Sequence, residues 1–492
     1  MELGQFGNYF WGAVLGGLVF LKWVLKNGNW WVYETKLGDK QKYLPPGDLG
    51  FPFIGNMWSF LRAFKSQNPD SFISSLVSRY GKTGIYKSVM FMNPSIIVTT
   101  PDICRKVLTD DEAFMPGWPQ ATMDLIGRKS FVGISFEEHK RLRKLTAAPV
   151  NGHEALSCYI PYIEENVIAS LEKWAEMGQI EFLTELRKLT FRIIMYIFLS
   201  AESEPMMDAL EKEYTTLNHA IRALAINFPG FAYYNALKSR KRLVLVFQSI
   251  VDERRNQRKS NNLGSKKKKD MMDALLDVED ENGRKLTDEE IIDVLLMYLN
   301  AGHESSGHTM MWATILIQEH PEVFKKAKAE QEEIIKKRPP TQKGLTLKEY
   351  RDMEYLSKVI DETLRVTSFS AFVFREAKKD VNINGYLIPK GWKVLTWFRS
   401  IHFDSETYPN PKEFNPSRWD DFVPKAGAFL PFGAGSRLCP GNDLAKLEVG
   451  IFLHYFLLNY NVKRANPGGP VMHLPHYRPK DNCLAKIIKC FS

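Results

Sequence analysis

The first strong signal along the chain is an unbroken apolar run from Phe10 to Leu21, followed by Lys22, then Trp23-Val24-Leu25 and Lys26. Twelve residues fall short of the roughly 20 that a membrane span prefers. A lysine near one end can carry its ammonium to the interface, so residues 8–25 count as one segment. Lys22, Lys26 and Lys36 lie on the C-terminal side, which by the positive-inside rule leaves the rest of the chain cytosolic. Trp23, Trp30, Trp31 and Tyr33 suit an interfacial belt. A cleaved signal peptide is the competing reading. Against it stand Glu2, the lack of Lys or Arg ahead of the run, and no evident cleavage site. Residues 8–25 are therefore expected to form a transmembrane anchor helix. Residues 26–56 read as a linker stiffened by Pro45-Pro46, because adjacent prolines favour extended backbone.

From residue 57 on the period is mostly helical. Apolar positions recur every three or four residues over 153–177, 186–200, 206–223, 235–259, 287–318, 321–336, 347–366 and 440–459. Extended patterns are few. They cover 84–99, a hairpin at 380–388 whose Asn384-Gly385 is a strong two-residue turn signal, and 391–397. No repeat or long linker divides 57–492. The pattern predicts a mainly α protein with small β-sheets.

Composition changes this picture little. The 492 residues are 44% hydrophobic, too apolar for a disordered chain. The net charge of +9 is local, since residues 238–269 hold twelve Lys and Arg against two acids. The remainder is close to neutral, which argues against nucleic-acid binding. The run Lys266–Lys269 reads as a solvated loop between helices, with anionic lipid as the alternative contact. Five widely spread cysteines (Cys104, Cys158, Cys439, Cys483 and Cys490) show no zinc or redox spacing, as expected in a reducing compartment.

One cysteine stands in unusual company, in Pro431-Phe-Gly-Ala-Gly-Ser-Arg-Leu-Cys-Pro-Gly441, just before a helical pattern. The glycines permit tight backbone, and a helix N-terminus favours an anion, so Cys439 is expected as a thiolate. It could be a nucleophile, a single axial ligand to haem iron, or an inert buried thiol. The whole pattern Phe432-x-x-Gly435-x-Arg437-x-Cys439-x-Gly441 resembles the haem-binding loop of the cytochrome P-450 family.

A second unusual stretch is the long helical pattern that starts at the capping box Thr287-x-x-Glu290 and runs to Pro321. Its ends are apolar and its middle is Asn300-Ala-Gly-His-Glu-Ser-Ser-Gly-His308. Gly302 in this polar break predicts local opening beside a site. His303 and His308 are five apart, whereas a helical zinc pair needs i, i+4. The segment resembles the family's central helix, which implies that Glu304 and Ser305 relay protons to iron-bound oxygen. Ser305 stands where threonine is commoner.

Glu362-x-x-Arg365 places a carboxylate and a guanidinium on one helix face. With Arg418 it resembles the family's Glu-Arg-Arg network, which supports the haem loop. The resemblance also makes Arg437, Arg375 and Arg143 cations for the haem propionates. His139, in His139-x-x-x-Arg143, takes the place of the usual tryptophan. Two prolines that often follow the Glu-x-x-Arg helix are absent around Val366–Ser370.

The resemblance covers residues 44–492 and implies one large, mainly helical fold behind the anchor, with 57–492 as the haem-thiolate monooxygenase domain. It implies haem b ligated by Cys439, electrons from NADPH through a cytochrome P-450 reductase, and an endoplasmic reticulum membrane location with a cytosolic catalytic domain. Within the family, 147–156, 186–199 and 301–308 most resemble plant ent-kaurenoic acid oxidases of gibberellin synthesis. That implies successive oxidations of a diterpenoid carboxylic acid. Pocket walls are expected from 112–131, 218–234, 292–301 and 366–374, with Arg128 or Arg222 meeting the substrate carboxylate. A related triterpenoid oxidase, a reductase-independent hydroperoxide-rearranging enzyme and a haem sensor remain alternatives. If Arg143 points inward, Arg141 and Lys144 turn to solvent and, with Lys140, offer a basic face to an acidic reductase.

Overall fold

The computed structural model describes residues 2–200, 204–221, 225–259, 270–474 and 476–490. Two compact units result. One comprises Met1–Gly117, Ser370–Thr407 and Lys425–Phe429; the other comprises Trp118–Phe369, Tyr408–Pro424 and Leu430–Ser492.

The first unit is built on a five-stranded sheet in the order Ile85–Met90, Asn93–Val98, Lys393–Trp397, Phe372–Ala377, Phe114–Pro116. All neighbours are antiparallel except Asn93–Val98 against Lys393–Trp397. The extended pattern at 84–99 is thus two strands, folded at Phe91 and Met92 with φ of 52° and 60°. Left-handed backbone is costly for such side chains and is held here by the pairing on both sides. Asn384-Gly385 turns a separate hairpin, Val381–Ile383 with Tyr386–Ile388, where both turn residues have positive φ as a type I′ turn requires. Phe60 and Phe72, from the helices Met57–Lys65 and Asp70–Tyr80, pack edge-on and tilted against Trp397 of the sheet.

Residues 8–25 lie inside one helix, Glu2–Asn29. Trp11, Leu15, Leu18, Val19, Phe20 and Leu21 are exposed on it. Among the described residues no helix is long and apolar enough to cross a membrane. The segment 26–56, read as a linker, is laced to the sheet. The Asn29 amide donates to the Leu49 and Phe51 carbonyls, the Lys87 N–H donates to the Pro46 carbonyl, and Lys87 pairs with buried Glu34.

The second unit is organised by a 32-residue central helix, Asp288–Glu319, most of whose side chains are buried. The expected capping box starts it, with Thr287 Oγ1 accepting from the Glu290 N–H and Glu290 accepting from the Thr287 N–H. Around it pack Phe182–Leu199, Glu354–Thr367 and Asn442–Asn459, the last here called the post-loop helix. The helix read at 347–366 is two, Leu347–Arg351 and Glu354–Thr367. A second capping box, Thr346 with Glu349, starts the first, and the Glu330 carboxylate caps the other by accepting from the Tyr355 and Leu356 N–H groups. The Glu330 cap comes from another helix, Pro321–Lys337, so periodicity alone misses the break. A small antiparallel sheet, Gln179–Glu181, Leu484–Lys489, Tyr460–Arg464, completes the unit.

Candidate active site

The cysteine loop is shaped by backbone that only glycine adopts easily. Gly433 and Gly435 have φ of 77° and 72°, and the Cys439 N–H donates to the Phe432 carbonyl at 2.9 Å. Gly441 then caps the post-loop helix, and Asn151 clamps the turn by donating to the Pro440 carbonyl. Burial pushes the Cys439 thiol up, and the Gly441 N–H and the Arg143 charge only partly oppose it. The expected thiolate therefore needs a further cation at sulfur. A metal ion bound there would supply one.

Four groups meet at Phe131. Arg437 Nη1 donates to its carbonyl at 2.9 Å, and the Arg143 guanidinium lies 6.0 Å from its ring centroid. Buried His139 and Tyr298 contact the same ring at 5.3 and 5.6 Å. Arg143 and His139 share the helix Phe136–Asn151, one turn apart, so each reaches the cluster from one face. Phe131 carries no sequence signal beyond an apolar residue before that helix. Arg375 belongs to the other unit, on the strand Phe372–Ala377. Its Nη1 donates to the Phe374 carbonyl, burial pulls its pKa down to about 10, and Asp111 is the one opposing charge. A buried guanidinium suits an anion such as a carboxylate.

Along the central helix Ala301 is exposed and Gly302 and Ser305 are half-buried, in a run that is otherwise buried. Ala301 and Ser305 are one turn apart, so one narrow stripe of small residues is left uncovered. A flat prosthetic group needs such a face. With the Cys439 thiol and the cations at Phe131, the residues of this unit fit a haem. The helix does not open at Gly302, contrary to the sequence reading. Its hydrogen bonding runs unbroken, and a Cβ there would stand 2.8 Å from Ile194 Cδ1 of the adjoining helix. Gly302 lets the Ile194 side chain lie close against the central helix.

Ser305 shares its hydroxyl proton between the Ala301 and Gly302 carbonyls. Glu304 points elsewhere. It is paired with Arg187 of Phe182–Leu199, and His308 Nδ1 lies 3.6 Å from its carboxylate. Burial raises its pKa, yet Arg187, then His303, His308 and His219, hold it below the usual carboxylate range. The ionised acid and the hydroxyl are thus on different faces and are not brought into contact. Arg187 is a neighbour of Glu304 that the sequence reading passed over; it is one of three cations, with Lys188 and Arg192, on a largely apolar helix, so nothing local singles it out.

Glu362, Arg365 and Arg418 do come together, with Glu362 and Arg365 fully buried. Two other readings are corrected. Arg128 is exposed and paired with Asp124 one turn back, so a substrate carboxylate there would have to compete with Asp124. Arg222 lies outside the described residues. Arg141 is largely buried and bound to Asp280 and Glu290, so it does not turn to solvent, while Lys140 and Lys144 are exposed as read, Lys144 paired with Glu281. The acids arrive from the stretch 279–290, which the helical wheel of 136–151 cannot see.

The chain belongs to the cytochrome P450 family, whose family model matches residues 45–477. Membership defines it as a haem-thiolate monooxygenase, an oxidoreductase. It is 72% identical to ent-kaurenoic acid oxidase 1 of Arabidopsis thaliana over 472 residues, 96% of each chain. It is 56% identical to the ent-kaurenoic acid oxidase of Oryza sativa subsp. japonica over 97% of this chain and 95% of that one. Identity to a 7,8-epoxymelianol synthase of Ailanthus altissima is 53%, over 98% and 97%. Among solved structures, the retinoic acid-bound cyanobacterial CYP120A1 matches with a TM-score of 0.80 at 26% identity, over 91% of this chain and 99% of that one.

Proposed function

We propose that this protein oxidises ent-kaurenoic acid, a diterpenoid carboxylic acid, in successive steps at one ring carbon, yielding the first gibberellin. The observation that carries this is the 72% identity across nearly the whole chain, against 53% for the relative named as an epoxymelianol synthase. When bound, haem with a cysteinate ligand supplies oxygen activation for insertion into an unactivated C–H bond. Cys439 would hold the iron; Arg143 and Arg437 would hold the propionates, with His139 beside Arg143. Phe432, Gly435 and Gly441 give the loop its tight path. The Ser305 hydroxyl holds a proton on the uncovered face of the central helix. Glu304 serves it indirectly, as an ionised carboxylate fixed by Arg187 and His308, able to take up a proton only by leaving that pair.

NADPH delivers electrons through a membrane-bound reductase. The helix Glu2–Asn29 holds the chain on the endoplasmic reticulum, with the catalytic body cytosolic; its exposed apolar side chains support this. A chain lacking residues 1–29 should move from the membrane pellet to the soluble fraction, and its staying in the pellet would remove the anchor role. Microsomes carrying the protein, a reductase, NADPH and ent-kaurenoic acid should yield gibberellin product. Turnover of a triterpenoid alone would give the substrate assignment to the second group of relatives, and product without NADPH would give it to a reductase-independent class. In the same assay Ser305→Ala should lower product formed per NADPH while substrate still binds.

A further inference from the structure

Seven carboxylates are buried among the described residues, and six meet a cation. Glu34 pairs with Lys87, Asp270 with Arg254, Glu290 with Arg141, Asp293 with Arg240, Glu304 with Arg187, and Glu362 with Arg365. Glu448 is the exception. It is 1% exposed, on the post-loop helix nine positions after Cys439. The Ser306 hydroxyl of the central helix donates to one carboxyl oxygen, and Oε1 meets no protein donor. A buried carboxylate without a counter-ion neutralises by taking up a proton.

We propose that Glu448 is a carboxylic acid kept protonated at neutral pH, joining the post-loop helix to the central helix through Ser306. It is a positioning residue. The helix it stands on leads out of the Cys439 loop, and Ser306 follows Ser305, so the joint sets the uncovered face of the central helix against the helix that carries the loop. This rests on the P450 site and is independent of the substrate assignment. Burial pushes the Glu448 pKa up to about 8, with Ser306 opposing. The polar groups of the surrounding elements engage other residues of the post-loop helix. Asp361 meets Lys446, Gln331 meets His454, and Glu164 meets Tyr455. Tyr350 packs on Gly450 and Asn151 holds the turn before the helix. None of these acts on Glu448.

The sign of the pH effect follows. In the unfolded chain Glu448 loses its proton near 4.5, in the folded chain near 8. Between these values the folded state binds one proton more, so its stability falls as pH rises, and the fall stops near pH 8. Glu448→Gln, neutral throughout, lacks this slope. Its Tm, measured on the holoenzyme and taken relative to wild type, should climb between these pH values and level off above about 8. A Tm deficit equal at every pH would mean an ionised, paired acid and would overturn the proposal. Infrared spectra of the wild-type holoenzyme provide a second reading should that variant not fold. A protonated-carboxyl band present at neutral pH should vanish above about pH 8 and shift in Ser306→Ala; its absence overturns the proposal as well. For the joint itself, Glu448→Ala should lose part of the cysteinate-type band of the reduced CO complex and Glu448→Gln should keep it. Equal loss in both would show that a neutral hydrogen-bonding group is not what the joint needs. No readout uses substrate, so failure here is distinct from failure of the substrate assignment.

Discussion

Cys439→Ala is expected to abolish the cysteinate-type Soret band of the reduced CO complex and to bring turnover to background, while the protein stays folded. The backbone of the loop is fixed by Gly433, Gly435 and the Cys439 N–H to Phe432 carbonyl bond, all of which survive the substitution. At the sulfur, burial opposes ionisation against the Gly441 N–H and the Arg143 charge. No other cysteine can replace it. Cys104 and Cys483 are buried thiols whose pKa burial drives far up, Cys158 is exposed, and Cys490 accepts from the Asn461 amide at the end of the small sheet. The loss should therefore be complete rather than graded, because a single axial ligand sets the electron density at the metal. Cys439→Ser tests the same point with an oxygen donor and should also lack the band. Retention of the band in Cys439→Ala would mean that another group binds the iron.

What the sequence makes legible here is local chemistry. The cysteine loop, the capping box at Thr287 and the Asn384-Gly385 turn each depend on residues within about ten positions, and the structure builds each as read. What it hides is pairing across distance. Glu304 and Ser305 are neighbours in the chain, yet Arg187 from another helix draws the carboxylate away from the hydroxyl. Arg141 reads as a solvent-facing cation on its own helix, but Asp280 and Glu290 are folded onto it. Gly302 reads as an opening because the side chain packed over it, Ile194, lies on a different helix. Glu448 shows the same limit from the other side, since in sequence it is one acid near Lys446 and only burial reveals that it lacks a counter-ion.

Breaking the Glu362 cluster is expected to have the largest effect on stability. Its carboxylate accepts from Arg365 Nη2 and Nε at 2.8 and 2.9 Å, from Arg418 Nε and Trp419 Nε1 at 3.1 Å, and from the Asn415 N–H at 3.0 Å. Arg365 in turn donates to the Pro411 and Glu413 carbonyls, so one buried acid and one buried cation order the stretch 411–419. Neither Glu362 nor Arg365 has exposed surface, which makes the loss of one partner worse than the loss of both. Glu362→Gln keeps the size and removes the charge, leaving the fully buried Arg365 and its neighbour Arg418 without their counter-ion. A cost of about 3–5 kcal/mol is expected from stranding buried charge in this way. Of the same order is the cost for Arg365→Ala, which strands the carboxylate instead. Arg418→Lys should cost less, because Arg365 still neutralises Glu362. Urea unfolding of the holoprotein measures all three, and the ordering is the test. If Glu362→Gln proved no more damaging than Arg418→Lys, the cluster would be an ordinary polar contact rather than the core that holds this part of the chain.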